Sequence, residues 1–285
     1  MWISGGWKDY ELLDCGDGER LERWGSYILV RPDPQAIWRK TEESLWESPD
    51  ARYFRSDRGG GHWEKRNLPE SWQIRYGELL FNVKPMNFKH TGIFPEQAAN
   101  WDWARGLILG AKRRIRLLNL FGYTGAATLS AALAGAEVCH VDAARGMVNW
   151  GRENARASGL DDRPIRWIVD DCMKFIEREK RRGRRYDAVI MDPPSYGRGP
   201  SGEVWHIEKE LENLIRGASA LLSDSPLFVL INSYTAGLSQ WAVGYMLRAV
   251  VEKSFGGSTD CSELGLPIKS SGLVLPCGSS ARWWA

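Results

Sequence analysis

The sequence predicts an α/β protein. Its main part is a doubly wound, Rossmann-like sheet, parallel but for an antiparallel C-terminal strand, and a small antiparallel β domain precedes it. Three observations carry this. From Arg116 onward, short apolar runs alternate with helical stretches. Up to about Val83 the chain instead shows short alternating runs broken by turn residues. After Phe255 there is no room for another crossover helix, so the sheet should end in an antiparallel pair. These changes divide the chain into a β domain over 1–83 and a larger domain over 84–285.

In the first domain, "YELLDCGDGERLERWGSYILVRPD" offers two strands, Tyr10–Asp14 and Ser26–Arg31, separated by a Gly-Asp-Gly turn. "YFRSDRGGGHWEKR" reads as a loop or hairpin tip around Gly59–Gly61, and "WQIRYGELLFNVKP" as a hairpin turning at Gly77. In the second domain, Leu117–Leu120, Val138–Val141, Ile165–Val169, Ala188–Met191 and Leu227–Ile231 read as buried parallel strands. Helices are predicted over Ala126–Ala134, Ala144–Ser158, Met173–Lys180, Val204–Leu222 and Ser239–Phe255. Two final strands flank Leu266–Ser271.

Composition narrows the function classes. A hydrophobic fraction of 43% and a charged fraction of 26% suit a folded, soluble chain. No apolar run approaches the roughly 18 residues of a membrane span. The five scattered cysteines form no C-x-x-C pair, which argues against a zinc knuckle, and the odd count with no signal peptide points to a cytoplasmic protein. The net charge of +2 names no partner, but "AKRRIR" (Ala111–Arg116) and "EREKRRGRR" (Glu177–Arg185) are local basic clusters. Each reads equally as a solvated face or as a phosphate contact. Nine of the fifteen tryptophans precede Ala104. Most of them suit the core of a small β domain, although tryptophan also stacks on bases.

Ligands of an open α/β sheet bind at the carboxyl ends of its strands. The first predicted strand is followed there by "NLFGYTGA", whose Gly122 and Gly125 let backbone approach a ligand at a helix N-terminus. The second ends at Asp142, a carboxylate suited to a ribose diol, and the third at Asp170 and Asp171. Glycine turn and acid also describe NAD-binding folds. The fourth strand separates the readings. Its "MDPPSYGRG" fixes Asp192 in a proline-locked extended turn, through Pro193 and Pro194, with Tyr196 alongside. Such a turn accepts hydrogen bonds from an amino group while the aromatic ring stacks on its bearer. A dehydrogenase needs a general acid instead, and the four histidines form no constellation for one.

With "KHTGIFPEQAANW", "LLNLFGYTGAATLSAALAGAEVCHVD", "IVDDCMKFI" and "LFVLINSYTAG", these motifs cover about two thirds of the chain. Over Phe88–Cys277 the sequence resembles the class I S-adenosylmethionine-dependent methyltransferases, and within them the bacterial 23S rRNA large-subunit methyltransferases. The resemblance implies S-adenosyl-L-methionine as cofactor and RNA, ribosomal in kind, as partner, with no metal. It implies that the turn Asn119, Phe121, Gly122, Tyr123, Thr124 and Gly125 holds the methionine part. It places Asp142 at the ribose hydroxyls, Asp171 at the adenine amino group and Asp192–Tyr196 beside the substrate, with Ala143 and Asp170 also among the cofactor-binding residues. "TGIFPEQAANW" would form a lid strand and helix, with Gln97 near the cofactor. Where the family shows Asp-Gln-Arg, this chain has Glu96-Gln97-Ala98, so the arginine's contact is absent or replaced.

An exocyclic amine needs only an acceptor for its proton, whereas carbon 5 of a pyrimidine needs covalent activation, usually by a cysteine thiolate. The segment after the fifth strand reads Ile231-Asn232-Ser233-Tyr234, without the cysteine of the cytosine-modifying relatives. Transfer to a base nitrogen is therefore favoured. Cytosine carbon 5, a small-molecule or protein acceptor, and a catalytically silent RNA-binding protein are the alternatives. RNA is expected across the N-terminal β domain, near Arg52-Tyr53-Phe54-Arg55 and Arg58, and the mouth of the sheet.

Overall fold

The computed structural model describes residues 1–56, 60–198 and 204–285. The chain forms two compact units: Trp2–Ala99 with Leu264–Cys277, and Asn100–Glu263 with Gly278–Ala285.

The first unit opens with β1 (Trp2–Ile3), then β2 (Tyr10–Gly16), β3 (Glu19–Trp24), β4 (Tyr27–Pro32), β5 (Ala51–Arg55) and β6 (Gly61–Lys65). Strands β2 to β6 make a five-stranded sheet in chain order. Its pairings are antiparallel, except that β4 and β5 run parallel. A separate hairpin joins β7 (Trp72–Tyr76) to β8 (Leu79–Val83), and Gly77 takes the left-handed conformation at its turn, as the sequence predicts. The β5–β6 pairing also bears out the hairpin expected near Gly59–Gly61, although Gly59 and Arg58 lie outside the described residues.

Strand β3 corrects the sequence reading, which has a turn and no strand between Asp14 and Ser26. Gly16-Asp17-Gly18 turns the chain, but it leads into a full strand, "ERLERW". Its charges suggest solvent, yet the Glu22 side chain is fully buried. Arg31 donates to it from Nε (2.6 Å) and Nη2 (2.7 Å), and the Tyr10 hydroxyl donates at 2.8 Å. Burial alone would raise the Glu22 pKa, but the guanidiniums of Arg20 and Arg31 outweigh it and hold the carboxyl down to about 2.

The tryptophans are mostly staples of this core. Of the nine before Ala104, Trp38 alone is exposed. Indole N–H groups of Trp7, Trp38, Trp63 and Trp72 donate to the carbonyls of Pro95, Cys15, Met86 and Trp24, and that of Trp46 donates to the Asp14 carboxylate. Indoles tied in this way bury area and fix strand ends together.

In the second unit the strands β9 (Arg116–Leu120), β10 (Glu137–Asp142), β11 (Ile165–Val169) and β12 (Ala188–Met191) fall within a residue of their predicted ends. A short arm follows, β13 (Tyr196–Arg198) pairing antiparallel with β14 (Val204–His206). The sheet is completed by β15 (Phe228–Ser233) and the last strands β16 (Ser258–Pro267) and β17 (Val274–Trp284), which carry the chain between the units. Within this unit the order is β17-β15-β12-β9-β10-β11, parallel except for the antiparallel β15–β17 pair.

The helices are α1 (Ala98–Gly110), α2 (Ala126–Leu133), α3 (Arg145–Ala157), α4 (Cys172–Arg181), α5 (Ile207–Ser219), α6 (Gln240–Leu247) and the short α7 (Lys253–Phe255). Both faces of the sheet are covered, which is why the strands read as unbroken apolar runs. Leu118, Val189 and Val229 point into one core with Phe175 of α4 and Leu214 of α5. Leu117, Ile190 and Leu230 alternate to the other, with Ile108 of α1 and Ala131 of α2. Two further expectations are corrected. Val204–His206 is the β14 strand, and the helix starts only at Ile207. Residues 91–94 form no strand, and the helix expected in this stretch is α1. Among the described residues no helix is long and apolar enough to cross a membrane, and no cluster of side chains is arranged to hold a metal ion.

Candidate active site

The carboxyl ends of β9, β10, β11 and β12 bring together most of the residues singled out in the sequence. The turn after β9 is unusual. Phe121 and Tyr123 have positive φ (57° and 50°), as does Gly125 (86°), so three of five consecutive residues are left-handed. Two of those are aromatic, where that conformation costs most. The surrounding structure holds it. The Gly122 N–H donates to the Val141 carbonyl of β10 at 3.0 Å, and Asn154 Nδ2 of α3 donates to the Thr124 carbonyl at 3.0 Å. The turn's own N–H groups are largely spent inward, Phe121 on Cys172 Sγ, Tyr123 on Asp142 and Gly125 on the Gly122 carbonyl, so its backbone path is fixed before any ligand arrives.

The two glycines have distinct reasons. Gly125 supplies the left-handed residue preceding α2. Gly122 does not have positive φ; a Cβ there would lie 2.5 Å from His140 Nδ1. His140 is wholly buried beneath the turn, its Nδ1 2.9 Å from Thr128 Oγ1, and Thr128 Oγ1 also accepts from Asn119 Nδ2 at 2.9 Å. The expectation that Gly122 is there to admit a ligand is therefore incomplete, because its missing side chain is filled by an imidazole from inside. Burial drives the His140 pKa down to about 3, so the ring is neutral. Asn119 points into this network as part of the turn's foundation.

Asp142 ends β10. Its Oδ2 accepts the Tyr123 N–H at 2.9 Å and its Oδ1 the Ala144 N–H at 2.8 Å. Burial raises its pKa, and the two backbone donors act against that. Ala143, beside it, is exposed. Asp170 pairs with Arg178, and Asp171 is the N-cap of α4, its Oδ1 accepting the Lys174 N–H at 2.9 Å. Gln97 is buried in a short 3-10 turn, Pro95–Gln97, of the first unit.

Asp192 follows β12, its N–H on the Leu120 carbonyl at 3.3 Å, so it starts beside the β9 turn. Pro193 is buried and Pro194 exposed, and the Pro194 carbonyl accepts the Trp205 indole N–H at 2.6 Å. The Trp205 ring lies 5.5 Å from that of Phe121. Tyr196 is half exposed and meets His206 edge-on at 5.1 Å. Ser195 Oγ lies 2.7 Å from Thr235 Oγ1, in the segment after β15. Trp205 and His206 were not foreseen from sequence, because their stretch reads as helix. A tryptophan within a dozen residues of the Asp-Pro-Pro turn is the signal that could have found them.

All five cysteines are buried and free. Cys172 Sγ accepts the Phe121 N–H at 3.4 Å, and burial pushes its pKa well above the usual thiol value. Cys277, in the first unit, is raised by burial and then by the Glu96 charge. After β15, Asn232 Oδ1 is bonded by Asn100 Nδ2 (2.9 Å) and Ser280 Oγ (2.6 Å), and Asn100 Oδ1 accepts from the buried Arg282 (2.9 and 2.7 Å).

Comparison with known proteins agrees with this layout. Residues 49–239 match the model of the S-adenosylmethionine-dependent methyltransferase family. A solved S-adenosylmethionine-dependent methyltransferase from Agrobacterium tumefaciens is 38% identical, covers 99% of this chain and 92% of its own, and superposes with a TM-score of 0.93. Ribosomal RNA large subunit methyltransferase K of Neisseria meningitidis is 31% identical over 229 residues, 76% of this chain and 64% of that protein. Ribosomal RNA large subunit methyltransferase K/L of Syntrophotalea carbinolica is 27% identical over 183 residues, 63% of this chain. The chain spans only 25% of that K/L protein's length. With the fold, the β9 turn and the Asp-Pro-Pro arm in one place, the chain belongs to the S-adenosylmethionine-dependent methyltransferases.

Proposed function

We infer that this chain methylates RNA, at an exocyclic nitrogen of a base, in the cytoplasm. The observation that carries the reading is the Asp-Pro-Pro-Ser-Tyr arm with its rings. Asp192 starts beside the β9 turn, and Tyr196, Trp205 and Phe121 lie around the same edge. A carboxylate and carbonyls accept the hydrogen bonds of an amine, and aromatic faces stack on the base that bears it.

The residues suit S-adenosylmethionine. Each Asp142 oxygen carries one backbone N–H, which leaves further lone pairs for the two hydroxyls of a ribose. In this reading Phe121–Gly125 hold the methionine part, Asp142 the ribose and Asp171 the adenine, with Ala143 and Asp170 as neighbouring cofactor contacts. The cofactor supplies an activated methyl on sulfonium. Asp192 and the proline-locked turn orient the amine nitrogen, which gains the methyl and gives up a proton to an acceptor at this edge. Tyr196 and Trp205 fix the plane of the base.

Carbon-5 chemistry needs a thiolate, and the buried, raised thiols of Cys172 and Cys277 do not supply one. RNA binding would extend to the first unit, where Phe54 stacks on His62 at 5.6 Å and is exposed beside Arg55. Tyr53 is buried and Arg52 pairs with Glu19, so these two are structural.

The test is methyl transfer from labelled cofactor to total RNA, total protein and metabolite pools, followed by mass spectrometry of the labelled nucleoside. An N-methylated nucleoside is expected. Label in protein or metabolites alone overturns the RNA reading, and 5-methylcytosine overturns the nitrogen assignment.

A further inference from the structure

The opposite edge of the sheet holds a cavity of about 310 Å³. Its walls come from the starts of β9, β10 and β11 and the loop before β12, so it lies at the amino ends of the strands. Five-residue strands put it roughly 17 Å from the carboxyl edge. Five arginines line it: Arg116, Arg163, Arg166, Arg184 and Arg185. All five are exposed. They come from separate stretches of chain, including the two basic clusters that stand out in the sequence, and the fold gathers them around one concavity.

The neighbouring carboxylates reach only two of the five, Arg166 through Glu179 and Arg116 through Asp187. Glu137 pairs with Arg114. Glu179, fully buried, takes the Tyr186 hydroxyl at 2.5 Å and Arg182 at 3.1 Å, and lies 3.7 Å from Arg166. Asp187 is shared between the Arg113 guanidinium, the Arg116 backbone N–H and the Arg116 guanidinium at 3.9 Å. Among the described residues neither Arg163 nor Arg184 has a carboxylate within ion-pair distance, and Arg185 reaches only the Arg184 carbonyl. Surplus guanidiniums around a hollow repel one another unless an anion sits among them. Their planar forks match phosphate oxygens. The floor, with Val138, Ile165 and Tyr186, is apolar, which suits a sugar lying behind a phosphate. The volume is at the lower end of ligand sites, the size of one nucleotide unit rather than a large cofactor.

We propose that this cavity is a second RNA-docking site, which holds a backbone phosphate and its nucleotide at the edge of the sheet opposite the methyl-transfer site. The inference rests on the RNA reading above. It gives a large RNA two anchors, one at each edge, and it makes affinity depend on RNA length.

The test uses the full chain with Arg163→Gln and Arg184→Gln combined, and the Arg163→Lys, Arg184→Lys pair as a charge-retaining control. Losing the contact to this one phosphate should weaken binding of a long single-stranded RNA by roughly 5-fold near 0.1 M salt and flatten the log–log salt slope by about 0.7. Binding of S-adenosylmethionine and the melting temperature should stay as in the wild type, and the lysine pair should keep most of the affinity. Unchanged RNA affinity and slope in the glutamine pair overturns the docking site while leaving the RNA reading intact. A wild-type chain that binds no RNA at low salt overturns both. A parallel titration with a free nucleoside monophosphate separates the sources of phosphate. Loss of nucleotide binding in the glutamine pair, with RNA affinity untouched, overturns the RNA assignment in favour of a free nucleotide.

Discussion

Replacing Gly122 by alanine separates two roles for this turn. A methyl at this position would sit 2.5 Å from His140 Nδ1, about an ångström inside ordinary contact. The ring has nowhere to go. It is fully buried, held 2.9 Å from Thr128 Oγ1, and faces the Trp167 ring at 4.7 Å. Overpacking of this kind costs about 1–3 kcal/mol. If the ring yields, the Thr128 contact is lost as well, which adds about 1 kcal/mol. Gly122→Ala should therefore destabilise the chain by roughly 2–4 kcal/mol. Because the cause is a clash with one partner, a double-mutant cycle isolates it. In a His140→Ala background the added methyl fills space that the imidazole has vacated, so its cost should fall below about 0.5 kcal/mol, giving a coupling near 2 kcal/mol. Urea unfolding of the four proteins measures the cycle, and calorimetry with S-adenosylmethionine on the same samples gives cofactor affinity. Additive stability effects, with the loss confined to cofactor binding, would refute the reasoning and return Gly122 to a purely ligand-facing role.

The other predictions address the remaining parts. Asp142→Ala should weaken cofactor binding by about 1–3 kcal/mol, since it strands the N–H groups of Tyr123 and Ala144 and removes the proposed diol acceptor; unaltered calorimetric affinity would exclude that role. Trp205→Ala removes the Pro194 carbonyl's donor and the ring beside Phe121, and should raise KM for RNA by the equivalent of about 1–3 kcal/mol while cofactor Kd stays within a few-fold. Equal losses for both ligands would mean a merely structural ring. Cys172→Ser with Cys277→Ser should keep most of the activity, and a covalent adduct with RNA carrying a 5-fluorinated pyrimidine would contradict this. Glu22→Gln leaves the buried Arg31 guanidinium without its carboxylate and Arg20 with Asp33 alone, and should cost about 3–5 kcal/mol, read by denaturant titration. The wild type should show the matching pH dependence. The Glu22 pKa falls on folding from an ordinary 4.5 to about 2, so its contribution of about 3 kcal/mol is complete above pH 4.5 and is lost as pH falls towards 2. A Glu22→Gln chain whose stability falls as steeply over that range would reject the assignment.

The parallel sheet was legible because each strand is buried on both faces. Leu117–Leu120 and Ala188–Met191 are runs of apolar residues with one exception, and that exception, Asn119, spends its polarity on Thr128. The candidate site was half legible. Glycine marks a turn, and an acid at a strand end marks a ligand edge. The left-handed Phe121 and Tyr123 leave no trace in residue type, since their conformation is imposed by Val141 of β10 and Asn154 of α3. His140 was visible but seemed idle, because its partner is a glycine's missing side chain eighteen positions earlier. The Val204–His206 strand was hidden because it pairs with Tyr196–Arg198, and three residues carry too little pattern to compete with the helix that follows.

Strand β3 shows why the first unit resisted reading. Period-2 patterning assumes that charge marks the solvent face, and "ERLERW" violates this with Arg20, Leu21 and Glu22 all buried. Such a strand is tenable only if its charges are matched by residues from other strands. Here the match comes from Tyr10 on β2 and Arg31 on β4, one strand on either side. A one-residue slip of either neighbour would turn Tyr10 or Arg31 to the opposite face and leave Glu22 with an unpaid desolvation cost of several kcal/mol. The buried charges thus bear on register as well as on stability. The same sheet carries that register on to β5 and β6, where Phe54 and His62 are cross-strand partners with stacked rings.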